Sequence, residues 1–231
     1  MKEKFKDILR RLDKFRKYRK LFQHLISEKN KKILKATEFS MLPYQRLEQM
    51  WNLAELQEDL GTKGVFIELG CWKGGCPALM AYVSKVKKSE RKTYAIDSFM
   101  GFPEPTNKDT KKKDIVGIAK ANIKDAENAR RSLGVDKNMI IIKGWVEDLI
   151  PKIKDNIKEI AILRLDMDLY EPTKVCLKQL YPLVVRGGFV VIDDYGYKGW
   201  EGCKKAVDEY FEGKKVNLIS FDKTERYIMK T

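Results

Sequence analysis

Two groups of residues in this sequence could do chemistry together. The first is the run VFIELGCWKGG, which places Glu68, Gly70, Gly74 and Gly75 in an E-x-G-x-x-x-G-G arrangement. The second is a set of carboxylates, with Asp166 and Asp168 in LRLDMDLY and the neighbours Asp193 and Asp194 in VVIDDYG. Glycines at a strand end let backbone amides approach a ligand closely, and a carboxylate there can hold a cation. Asp97 follows 29 residues after Glu68, where an acidic side chain can take both hydroxyls of a ribose. A nucleoside-containing cofactor satisfies both features. A tight turn without a ligand explains the glycines alone but not Asp97. A dinucleotide is disfavoured because its fingerprint needs glycine where Trp72 stands. S-adenosylmethionine, which needs charge pairing more than a phosphate cradle, suits the pattern better. Trp145 is a candidate wall for the adenine, with Asp148 accepting from its amino group.

Four carboxylates in one crevice repel one another unless a cation lies among them. Oxygen donors select a hard ion, Mg²⁺ first, with Mn²⁺ or Ca²⁺ as alternatives. Strand alternation predicts Arg164, Asp166 and Asp168 on one side of the chain, with Met167 pointing away from the crevice.

The elements that must position these groups follow from the pattern of apolar runs. Strands are predicted at Val65–Leu69, Thr93–Ile96, Met139–Lys143, Ile160–Leu165 and Phe189–Ile192, separated by helix-length segments. Asn217–Phe221 and Arg226–Lys230 lie too close for a crossover helix and should form an antiparallel hairpin. This is an α/β fold, a mostly parallel sheet with helices on both faces, and ligands bind outside the carboxyl ends of such strands. Leu42–Leu60 reads as an amphipathic helix ahead of the sheet, and the polar stretch from Ser98 to about Asp114 as a long loop.

The 231 residues carry 47 Lys/Arg against 33 Asp/Glu, and 43% are hydrophobic. That is the composition of one globular domain, and nothing approaches the ~18 apolar residues of a membrane span. Ten of the fourteen net positive charges fall in residues 1–35, where Phe5, Ile8, Leu12, Phe15, Tyr18, Phe22 and Leu25 recur at helical spacing. Residues 1–38 are therefore expected to form a basic amphipathic helical extension and residues 39–231 the catalytic domain. The extension's apolar stripe is expected to be covered by the domain itself or by a second copy in a homodimer, with peripheral contact to an anionic membrane as the alternative. Nucleic acid is not expected, since no basic stripe is interleaved with aromatics elsewhere. The expected compartment is the cytoplasm. Cys71, Cys76, Cys176 and Cys203 form no CxxC pair and read as reduced, buried thiols, and His24 is the sole histidine, so any general base is a carboxylate.

The segments IELGCWKGG (67–75), AIDSFMGFPEP (95–105), KGWVEDLIP (143–151), LRLDMDLYEPT (163–173) and YPLVVRGGFVVIDDYG (181–196), with FSMLPYQRLEQMWNL (39–53) ahead of them, resemble the macrocin O-methyltransferase family of metal-dependent sugar O-methyltransferases. The resemblance implies a Rossmann-like class I methyltransferase fold with a seven-stranded sheet, S-adenosylmethionine and Mg²⁺ as cofactors, and an acceptor with vicinal sugar hydroxyls. It implies a cofactor site at Glu68, Gly70, Asp97 and Ser98, to which the glycine-rich turn and the segment after strand three add Trp72, Gly74, Gly75, Gly144, Trp145 and Asp148. It further implies that Asp166, Asp193 and Asp194 hold the metal and that Asp168 is the base. Met167 stands where the family usually has glycine. Two other readings are weaker. A D-x-D glycosyltransferase would leave the glycine-rich turn unexplained, and a non-catalytic membrane or RNA adaptor would bind no cofactor.

Overall fold

The computed structural model describes residues 27–110 and 113–231, so the expected basic helix over the first 26 residues and His24 lie outside the described residues. Seven strands form one sheet: β1 (Val65–Leu69), β2 (Thr93–Asp97), β3 (Met139–Lys143), β4 (Ile160–Leu165), β5 (Val184–Ile192), β6 (Ile219–Ser220) and β7 (Arg226–Met229). Their order is β3-β2-β1-β4-β5-β7-β6. Pairs among β1–β5 are parallel, while β7 runs antiparallel to β5 and β6. The expected C-terminal hairpin is present.

Among the described residues four helices cover one face: α1 (Glu28–Thr37), α2 (Tyr44–Asp59), α3 (Gly75–Val86) and α4 (Ile123–Leu133). Three cover the other: α5 (Val146–Ile153), α6 (Tyr170–Leu180) and α7 (Glu201–Phe211). β4 is buried at all six residues, as a central strand covered on both faces must be, and it reads as an apolar run interrupted only by Arg164. β5 begins five residues before the expected Phe189, because Gly187 and Gly188 sit at an irregularity in its pairing with β4. A break of this kind hides a strand from a periodicity test.

Part of the expected extension belongs to the core. Ile33 and Ala36 of α1 are fully buried, and the chain after them lies on the start of α3. The Gly75 N–H donates to Phe39 O at 2.9 Å, and a Cβ on Gly75 would stand 2.4 Å from Ala36 O. Gly75 is therefore required for the backbones of α3 and the α1–α2 connection to touch. All four cysteines are free and buried. Among the described residues no helix is long and apolar enough to cross a membrane.

Candidate active site

The turn after β1 is built around close backbone contact. Gly70 has φ +80°, and a Cβ there would fall 1.8 Å from Asp166 O, so only glycine lets the ends of β1 and β4 meet. Two non-glycine residues nearby, Trp72 and Phe99, also have positive φ, at 48° and 57°. Asp97 holds both: its carboxylate accepts the Trp72 N–H at 2.8 Å and the Phe99 N–H at 2.6 Å. Asp97 thus fixes the two turns flanking the cavity, and a carboxylate's remaining lone pairs stay available to a ligand.

The cavity encloses about 840 Å³ including its open mouth, and is lined by Glu68, Gly70, Trp72, Asp97, Ser98, Gly144 and Trp145 from the expected cofactor set. Gly74, Gly75 and Asp148 from that set do not line it. Gly74 and Gly75 face Ala126 and the α1–α2 connection, and Asp148 is exposed on α5 while its neighbour Glu147 faces the cavity. Ser40, Met41 and Leu42, together with Phe102 of the long loop and Ala119 after it, also contribute to the walls. None of these stood out as a site residue in the sequence: Ser40, Met41, Leu42 and Phe102 fall within the family-like segments 39–53 and 95–105, but nothing in their pattern marks them as cavity walls. Glu68 is 2% exposed, and its Oε2 has no nitrogen or oxygen donor, with only the Cys76 thiol beside it; burial raises the carboxyl to about 7, a rise that a cationic ligand group would oppose.

Below the cavity lies a buried charge network. Arg164 is fully buried and donates to Glu68 at 2.6 Å, Asp166 at 2.8 Å and Asp193 at 2.5 Å. Arg46, from α2, pairs with Asp193 at 2.9 Å, Asp222 at 3.0 Å and Glu225 at 3.4 Å. Both carboxylate oxygens of Asp193 are therefore held by guanidiniums. Asp193 still lies close enough to raise the carboxyls of Asp166, Asp168 and Asp194, but it stands outside their tightest grouping. Asp166, Asp168 and Asp194 each have an oxygen within 4.8 Å of the others.

Asp168 also reaches the cluster by a different route from strand alternation. β4 ends at Leu165, and Asp168 sits beyond it in a turn with φ +57°, its N–H donating to Asp194 Oδ2 at 3.1 Å. The same turn brings Met167 to the cavity wall instead of away from it. Three of the five non-glycine residues with positive φ in the described chain, Trp72, Ala119 and Asp168, line this cavity. Strained backbone of this kind gathers at functional sites.

Burial pushes the three clustered carboxyls above their ordinary range, Asp166 to about 6, and each is pushed further by the neighbouring carboxylates. Across the whole network two guanidiniums, Arg46 and Arg164, face seven carboxyls: Glu68, Asp166, Asp168, Asp193, Asp194, Asp222 and Glu225. A divalent cation would relieve that excess, and the all-oxygen donor set fits a hard ion.

Glu225 gives the network a pH signature. Burial raises its carboxyl from 4.5 to about 7, against the lowering influence of Arg164. A carboxyl raised in the folded state contributes stability that is complete below its unfolded pKa and lost as pH rises through the folded one. The melting temperature of the metal-free protein should accordingly fall between about pH 5 and 7.5. Glu225→Gln should flatten part of that slope. An unchanged slope in thermal melts of the variant would assign the effect elsewhere.

The sheet order with its antiparallel last pair, and the glycine-rich turn opening a cavity at the carboxyl ends of β1, β2 and β4, define a class I methyltransferase. Within that class, the chain belongs to the macrocin O-methyltransferase family, whose model, described as Macrocin-O-methyltransferase (TylF), matches residues 8–230. The match begins well before residue 39. Over 211 residues the chain is 30% identical to the demethyldecarbamoylnovobiocin O-methyltransferase of Streptomyces niveus, covering 85% of this chain and 77% of that protein. It is 29% identical over 179 residues to the 8-demethyl-8-(2,3-dimethoxy-alpha-L-rhamnosyl)-tetracenomycin-C 4'-O-methyltransferase of Streptomyces olivaceus, covering 74% and 67%. Among solved structures, the O-methyltransferase NovP superposes with a TM-score of 0.76 at 29% identity, over 84% of this chain and 82% of that one. The protein is an O-methyltransferase.

Proposed function

We propose that this protein transfers the methyl group of S-adenosylmethionine to a sugar hydroxyl of a glycosylated acceptor, with Mg²⁺ beside the reacting oxygen. The observation that carries the reading is the convergence of Asp166, Asp168 and Asp194 at the cavity that the glycine-rich turn opens. An alkyl hydroxyl is a weak acid and a poor nucleophile, so its methylation calls for a base and for stabilisation of developing negative charge. A nucleophile as reactive as a thiolate or amine would need neither. One relative's name, that of a 4'-O-methyltransferase of a rhamnosyl-tetracenomycin, favours a sugar.

Asp166 and Asp194 would hold the ion, in keeping with the one or two carboxylates that Mg²⁺ usually takes alongside water and substrate oxygens. When bound, the ion supplies Lewis acidity that lowers the pKa of an adjacent hydroxyl. Asp168, beside that pair, would take the hydroxyl proton, and S-adenosylmethionine, when bound, would supply the methyl group and depart as S-adenosylhomocysteine. Glu68 would pair with the cofactor's ammonium group, and Trp72, Ser98, Gly144 and Trp145 would enclose the remainder. Asp193, expected as a third ligand, would on this reading act instead through its ion pairs. Clamped between Arg46 and Arg164, it fixes the base of the site.

The test is methyl transfer, followed by mass spectrometry, to the sugar-bearing acceptors of the relatives and to the matching aglycones. Transfer should require the sugar and Mg²⁺ and should stop in chelator. Transfer undiminished by chelator would remove the metal from the reading. Uptake of a nucleotide sugar in place of S-adenosylmethionine would favour a glycosyltransferase.

A further inference from the structure

We infer that Asp109 is the positioning residue that sets the Asp168 turn, and through it the Asp194 carboxylate, in the geometry that takes a divalent cation. This rests on the cation site proposed above. Asp109 lies in the long connection between β2 and α4, remote in sequence from every aspartate of the cluster. Its Oδ1 accepts the backbone N–H of Tyr170 at 2.8 Å, two residues after Asp168. Its Oδ2 accepts the Thr106 N–H and Oγ, each at 2.8 Å. The carboxylate thus joins the loop to the first amide of α6.

That amide terminates the turn that carries Asp168. The turn is tight, with the Leu169 N–H donating to Met167 O at 2.5 Å and Asp168 held at positive φ. On its inner side the Asp168 N–H orients Asp194 Oδ2. Asp109 on the outside and Asp194 on the inside therefore clamp one strained turn between them. The Thr173 hydroxyl holds Leu169 O at 2.7 Å on the helix side of the turn, but without Asp109 the Tyr170 amide loses its acceptor, and the hydrogen bond that aims Asp194 loosens.

The fit at Asp109 is enforced from a third element. A Cβ added at Gly202 of α7 would fall 1.9 Å from Asp109 Oδ1 and 3.1 Å from the Tyr170 nitrogen, so Gly202 leaves the space in which this contact forms. Neighbouring contacts fasten the same loop in place. Lys108 Nζ donates to Tyr170 Oη at 2.8 Å and pairs with Glu209 at 3.1 Å, and Thr110 Oγ donates to Gly199 O at 2.9 Å.

The experiment is titration of the intact protein with Mn²⁺, and separately with S-adenosylmethionine, by calorimetry. Asp109→Ala should weaken Mn²⁺ by about 10–100-fold, as removal of groups that orient metal ligands does, while S-adenosylmethionine affinity stays within a few-fold. Gly202→Ala should act in the same direction by displacing the carboxylate, and it carries the test if Asp109→Ala does not fold. The double variant should bind Mn²⁺ no more weakly than Asp109→Ala alone, since the added methyl then occupies vacated space. Unchanged Mn²⁺ affinity in both variants overturns the inference, as do parallel losses of Mn²⁺ and S-adenosylmethionine, or losses that multiply in the double variant. Absence of Mn²⁺ uptake by the unaltered protein would refute the cation site itself, and the inference with it. Uptake that Asp109→Ala leaves unchanged would refute the inference alone.

Discussion

Asp168→Asn is expected to lower methyl-transfer turnover by about 10²–10⁴, the size usual for loss of a general base. The variant retains the side chain's shape, so the turn at φ +57° and the donation from its N–H to Asp194 can persist. Affinities for Mn²⁺ and for S-adenosylmethionine should consequently stay within a few-fold. Burial and the neighbouring Asp166 and Asp193 raise the Asp168 carboxyl well above its ordinary value. A divalent cation bound beside it, as proposed, would oppose that rise and allow Asp168 to act as a base near neutral pH. Steady-state rates with paired calorimetry separate the outcomes. If Mn²⁺ affinity collapses together with turnover, Asp168 is a ligand and not the base. If turnover is near normal, the proton leaves by another route.

Asp194→Asn should instead abolish most cation-dependent turnover, by about 10–100-fold at limiting Mg²⁺, with partial recovery at high Mg²⁺. The neighbouring substitution, Asp193→Asn, should behave differently although the two residues are adjacent. Asp193 is enclosed by Arg46 and Arg164, and breaking a buried ion pair by removing one partner typically costs about 3–5 kcal/mol of folding stability. Asp194→Asn should thus melt near the unaltered protein and bind Mn²⁺ poorly, and Asp193→Asn should melt lower. Equal Mn²⁺ loss in both, with equal melting temperatures, would return Asp193 to the cation site.

Four of the strands, and the edge of the sheet at which a ligand would bind, were legible in the sequence. Runs of β-branched residues bounded by glycine and aspartate mark β1 to β4 nearly to the residue, because a strand covered on both faces must be continuously apolar. Asp97, Asp166 and Asp194 could be placed at the ligand edge for the same reason, since each ends or follows such a run, and Glu68 because it is the one carboxylate within β1, next to its last residue. What tertiary structure decided is which way those carboxyls face. Asp193 and Asp194 are neighbours at a strand end, and only the arrival of Arg46, 147 residues away in sequence, and of the buried Arg164 determines that Asp193 is consumed in ion pairs while Asp194 remains in the cluster. Strand alternation could not place Asp168 or Met167, because the chain leaves the sheet at Leu165 and enters a left-handed turn. Asp109 carried no signal at all. Its role depends on a loop lying across the ends of two helices, and a contact between elements distant in sequence leaves no local periodicity to read.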